Sequence, residues 1–146
     1  MEQAISDFIK NKNLALIGVS KTKGKFGNYA YKELTSRGYT VLAIHPTEKE
    51  IEGIPCSPNL SSIKNKVDGV FVSVASKHIP SIINEISSVG LKNVWLQQGC
   101  ESKEIIAEAE KLGLNLVSKK CILMYAEPVK SIHKFHRIIA NIFHLS

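Results

Sequence analysis

The chain has 146 residues, 44% of them hydrophobic, and a formal net charge of +6. That length and composition suit one domain with a real core and exclude a second full domain or a wholly disordered chain. No apolar run approaches the ~20 residues that span a bilayer. The three cysteines, Cys56, Cys100 and Cys121, include no C-x-x-C pair, which argues against a disulfide scaffold and a structural zinc site. Residues 1–13 carry acids and amides rather than a signal-peptide core, so the expected location is the cytoplasm.

Read in order, the chain alternates short apolar runs with stretches of helical period. Residues 1–12 form a leading helix. Leu14 to Val19 is the first strand, and a helix follows from Gly27 to Ser36, stopping at Gly38. Thr40 to Ile44 is the second strand and Val70 to Val74 the third. The helix from Pro80 to Val89 places Ile82, Ile83, Ile86 and Val89 on one face. Asn93 to Leu96 is the fourth strand. Ser102 caps a helix carrying Ile105, Ile106, Ala109 and Leu112, and Leu114 to Val117 is a short fifth strand.

Nearly all strand residues are apolar, as in parallel strands covered on both faces. The expected fold is α/β: a Rossmann-like, doubly wound, mainly parallel five-stranded sheet of order 3-2-1-4-5 with flanking helices. The single domain spans 1–146, with its core at 13–121. Residues 127–145 read as a trailing helix with Phe135, Ile138, Ile139, Ile142 and Phe143 on a broad apolar face. Such a helix docks on the sheet, or on a second copy or a protein partner.

In a doubly wound sheet ligands bind at the carboxyl ends of the strands, beside the first one. The loop there runs Gly18-Val19-Ser20-Lys21-Thr22-Lys23-Gly24-Lys25-Phe26-Gly27. A helix N-terminus favours phosphate, the glycines permit close backbone approach, and three lysines add charge. The spacing matches neither a G-x-G-x-x-G fingerprint nor a P-loop. The second strand ends Ala43-Ile44-His45-Pro46-Thr47, without the carboxylate that binds a ribose in NAD domains. His45 and Lys49 nearby leave NADP open. Pro46 fixes the backbone and shapes that edge for a flat group.

Leu16-Ile17-Gly18-Val19-Ser20, Lys25-Phe26-Gly27, Ala43-Ile44-His45-Pro46, Gly53, Val67-Asp68, Trp95-Leu96-Gln97-Gln98-Gly99 and Cys121 follow in turn. Together they resemble the small bacterial and archaeal CoA-binding proteins, a free-standing version of the N-terminal domain of the succinyl-CoA synthetase alpha subunit. The resemblance covers about 13–121. It implies a coenzyme A or acyl-CoA ligand, with Gly18, Val19, Ser20, Lys25, Phe26 and Gly27 holding its phosphates. It also implies His45, Pro46 and Thr47 beside the adenine, with His in place of the usual Asn. Ser73-Val74-Ala75-Ser76, with Ser73 and Ala75 where the family often has Pro, would line the ligand's other side, and Gln98 and Gly99 its pantetheine end.

No catalytic set is evident. The succinyl-CoA synthetase phosphohistidine lies in a later domain of that protein, so no phosphoryl transfer is carried over. His133 and His136 stand three apart without a third metal ligand. Cys100, before the Ser102-capped helix, reads as a small loop residue without a partner base; the alternative is a thiol made acidic by the helix start and lying near a CoA thiol. Cys121 reads as packed against the sheet. The expected function is CoA binding without catalysis, the alternative an NAD(P)-binding oxidoreductase-type domain. Aromatic residues at 7% and lysines gathered at one loop argue against nucleic acid. Lys130, Lys134 and Arg137, with no acid in 129–146, carry half of the +6, away from the proposed site.

Overall fold

The computed structural model describes residues 2–22 and 24–127. The apolar runs become strands β1 (Asn13–Ile17), β2 (Thr40–Ile44), β5 (Gly69–Val72), β6 (Asn93–Gln97) and β7 (Asn115–Lys120). Two short strands, β3 (Glu50–Ile51) and β4 (Ile54–Ser57), precede β5. Helices α1 (Glu2–Lys10), α2 (Phe26–Ser36), α3 (Ile79–Ser88) and α4 (Lys103–Lys111) cover the sheet, with 3-10 turns at Ser76–His78 and Ile122–Met124.

The seven strands form one sheet of order β3-β4-β2-β1-β5-β6-β7, parallel except for the β3–β4 hairpin. The doubly wound Rossmann-like class holds, but count and order need correction. The strand at 69–72 lies beside β1, not beside β2. The place beside β2 is taken by β4, which pairs Ala43 with Cys56 and Ile44 with Ser57. With β4 counted as the third parallel strand, the parallel order from β4 to β7 is 3-2-1-4-5-6, the usual dinucleotide-type winding.

Burial on both faces explains the continuous apolar runs. Leu14, Leu16, Phe71 and Trp95 face one layer with Phe8 of α1, Ala30 and Leu34 of α2, and Leu123. Ala15, Val70, Val72, Val94 and Leu96 face the other, against Ile83 and Ile86 of α3 and Ile105 of α4. The residues alternate between layers with the period of two that a strand imposes. Ser102 caps α4 as expected, its Oγ accepting from Ile105 N–H at 3.2 Å. Arg37, at the end of α2, is 5% exposed. Its Nη1 donates to the carbonyls of Leu123 at 2.9 Å and Ala126 at 2.6 Å, and its Nε meets Glu33 at 3.2 Å. This ties the segment after β7 to α2.

Among the described residues no helix is long and apolar enough to cross a membrane. The trailing helix expected at 127–145 lies, beyond Glu127, outside the described residues.

Candidate ligand-binding site

Register places the site. Ile17 pairs with Ile44 and Val72, and Val72 with Leu96. The loops after β1, β2, β5 and β6 therefore leave the sheet at one level, on its carboxyl edge. A cavity of about 480 Å³ opens there, lined by Gly18, Val19, Ser20, Lys25, Phe26, Ser73, Val74, Ala75, His78 and Cys100.

The β1–α2 wall is mostly backbone. Gly18 has φ +144, and a Cβ on it would overlap the Ser73 carbonyl oxygen. A Cβ on Gly27 would overlap the carbonyl of Gly18. Two glycines thus let β1, the start of α2 and the loop after β5 meet at a distance no side chain permits. Lys25 is the N-cap of α2 and is extended, with no side chain capping the helix. The positive end of the helix dipole lies at this start.

Asn28, in the first turn of α2, is 6% exposed. Its Oδ1 accepts from Ser20 N–H and its Nδ2 donates to the Ser20 carbonyl, both at 2.7 Å. Nδ2 also lies 3.3 Å from both carboxylate oxygens of Glu52, in the β3–β4 turn. Asn28 therefore fixes the Ser20 peptide, and sequence reading missed it. Its only signal is a poor helix former in a first turn. Thr22 N–H donates to Ser20 Oγ at 3.1 Å, tightening the loop further. Of the three lysines, Lys25 reaches the cavity. Lys21 pairs with Glu48 at 2.7 Å, and this contact holds the Glu48 carboxyl below its ordinary range. Lys23 lies outside the described residues.

Of the residues expected at the site, Gly18, Val19, Ser20, Lys25, Phe26, Ser73 and Val74 line the cavity. Gly27 packs against Gly18. His45, Pro46 and Thr47 follow β2 on the same sheet edge, outside the lining. There His45 Nδ1 accepts from the backbone N–H groups of Thr47 at 3.2 Å and Glu48 at 3.0 Å. The imidazole thus caps its own turn as an Asn side chain would, and its proton sits on Nε2. Gln98 and Gly99 are exposed and do not line the cavity.

Ala75, His78 and Cys100 complete the lining. His78 carries no motif spacing, and only its position after a parallel strand pointed to it. Cys100 follows the loop-residue reading rather than the acidic alternative. Burial pushes its thiol up, opposed by a weaker backbone contact at Val74, and α4 begins only at Lys103. Cys121 is buried, as expected, and burial raises its thiol too. Among the described residues no group of His, Cys, Asp and Glu could hold a metal; His133 and His136 lie outside them.

A family model for a CoA binding domain matches residues 12–127. The chain is 30% identical over 137 residues to an ADP-forming acetate–CoA ligase I of Archaeoglobus fulgidus, covering 87% of this chain and 20% of the ligase. It therefore spans about a fifth of that relative's length. A conserved hypothetical protein from Pyrococcus furiosus superposes with a TM-score of 0.70 at 35% identity, over 75% of this chain and 95% of that one. The dinucleotide-forming acetyl-coenzyme A synthetase 1 of Ca. Korarchaeum cryptofilum superposes at 0.59 with 27% identity, over 73% of this chain and 25% of the synthetase. With a match across most of its length and the sheet such domains need, the chain belongs to the CoA binding domain family.

Proposed function

We propose that this protein binds coenzyme A or an acyl-CoA in the cavity at the ends of β1 and β5, without catalysis of its own, in the cytoplasm. The observation that carries this reading is an uncapped helix start facing a glycine-built turn, with Lys25 at its rim. CoA brings about four negative charges on its diphosphate and 3′-phosphate, and the positive end of a helix beside a lysine suits the diphosphate. Gly18, Val19, Ser20, Lys25, Phe26 and Gly27 hold it. His45, Pro46 and Thr47 flank the adenine at the end of β2. The pantetheine arm runs past Ser73 and Val74 toward Cys100, with Gln98 and Gly99 at its outer end.

Thermal shift with CoA, acetyl-CoA, NAD, NADP and ATP at equal concentration tests the ligand class. CoA and acetyl-CoA give the largest shifts. A shift with NADP alone overturns the reading. Lys25→Ala weakens CoA about tenfold, as loss of a charge-assisted hydrogen bond implies, and flattens the salt dependence. Unchanged affinity removes Lys25 from the phosphate site.

A further inference from the structure

The turn that brings Cys100 to the cavity lining is tied to β7 by one carboxylate. Glu101 Oε1 accepts from Lys119 N–H at 2.7 Å, and Oε2 accepts from Gly99 N–H at 3.1 Å. Both donors have left-handed backbone, φ +64 at Lys119 and φ +94 at Gly99. A lysine keeps that conformation only where its surroundings enforce it. Lys119 sits in β7 beside the register shift between β6 and β7. The carboxylate thus bridges a bulged strand to the turn that ends β6.

That turn carries Cys100 into the cavity. Cys100 N–H donates to the Gln97 carbonyl at 3.0 Å, and the Cys100 carbonyl accepts from Ser76 Oγ at 3.0 Å. The Ser76 contact joins the loop after β5 to the loop after β6. The Glu101 contact joins the loop after β6 to β7. Neither contact enters the phosphate wall.

We propose that Glu101 is the positioning residue for this turn, setting how far Cys100 stands into the ligand space and so the depth of the cavity's less polar end. The consequence for CoA rests on the ligand reading above; the placement of Cys100 does not.

The test measures alkylation of each cysteine by iodoacetamide, read by peptide mass spectrometry on the unliganded full chain, together with Tm and CoA affinity. Glu101→Ala makes Cys100 react severalfold faster and weakens CoA severalfold, with Cys56 unchanged. Glu101→Gln, which loses the charge but keeps one acceptor oxygen, falls between; a Gln rate equal to the Ala rate would trace the acceleration to the lost charge beside the thiol and overturn the proposal. Adding Lys119→Gly to Glu101→Ala removes the backbone strain and raises Tm, yet leaves Cys100 fast. Two further results overturn the proposal. One is a Cys100 rate unchanged by Glu101→Ala. The other is acceleration of all three cysteines together, reversed when Lys119→Gly restores Tm, which would make Glu101 a purely structural residue. If unaltered protein fails to bind CoA, the ligand reading falls, and the Cys100 rates still decide the role of Glu101.

Discussion

The two walls of the cavity are made of different material. On the β1–α2 side stand the Gly18 turn, Val19, Ser20, Lys25 and Phe26, with Asn28 bracing the Ser20 peptide from outside the lining. On the β5–β6 side stand Ser73, Val74, His78 and Cys100, on loops joined by the Ser76–Cys100 hydrogen bond. The shape of the first wall depends on close backbone approach, so it depends on the path of the chain. The second can change its chemistry by exchanging side chains without moving the fold. Close packing should therefore make the first wall intolerant and leave the second permissive.

The sharpest way to break this contrast is Gly27→Ala. The atom it would strike is backbone, the Gly18 carbonyl, which no rotamer change can move aside. A loss of about 3 kcal/mol or more in urea unfolding is expected. Ser73→Ala on the opposite wall should change stability by only ~0.5 kcal/mol. Gly24→Ala is the control within the same loop. Nothing lies within 4 Å of its Cβ, so only its φ of +80 opposes the change, at ~1 kcal/mol. Equal costs at positions 24 and 27 would refute the close-approach argument.

Asn28→Ala comes next. It removes both hydrogen bonds to the Ser20 peptide, at a cost of about 2 kcal/mol by urea unfolding. It should also increase hydrogen exchange at Ser20 more than at residues of α3. A uniform increase would mean that Asn28 supports the whole domain rather than this loop.

The smallest effect concerns Lys21 and Glu48 at the rim. The Lys21 contact depresses the Glu48 carboxyl below its ordinary value of 4.5. A depressed carboxylate stabilises the fold above its unfolded pKa, and that contribution fades as pH falls through the lowered value. Lys21 is exposed and Glu48 only half-buried at the rim, so solvent screens the pair and its effect on unfolding is small at neutral pH. An NMR titration should place the Glu48 midpoint below 4.5 and return it there in Lys21→Ala. An identical midpoint in both proteins would dissolve the pair.

How much of this was legible depended on the physical signal each part leaves. The five long strands announced themselves because burial on both faces demands unbroken apolar runs. The β3–β4 hairpin did not. It has two and four residues, includes Glu50, Pro55 and Ser57, and buries little beyond Ile51 and Ile54. Its one local clue is Glu52-Gly53, both at positive φ, between those isoleucines. Missing it displaced the 69–72 strand in the expected order. At the site, the glycines and the helix start were readable because a tight turn after a first parallel strand, packed on backbone, needs them at that place. Asn28, His78 and Glu101 were not. Asn28 and Glu101 act across a distance the chain closes only by folding, eight residues to Ser20 and eighteen to Lys119, and His78 stands in no motif. Lys21 was readable as a charge, but its partner Glu48 was not.

The hairpin also shapes how the molecule meets its neighbours. Beside β2 the sheet ends in β3, an outer strand only two residues long, paired in the antiparallel sense to a strand containing Pro55. A parallel sheet ending at β2 would offer a flat row of unsatisfied amides and carbonyls to any passing chain. So short a border offers little template for edge-to-edge aggregation. The strand missing from the apolar pattern is thus a guard on solubility as well as a spacer in the winding.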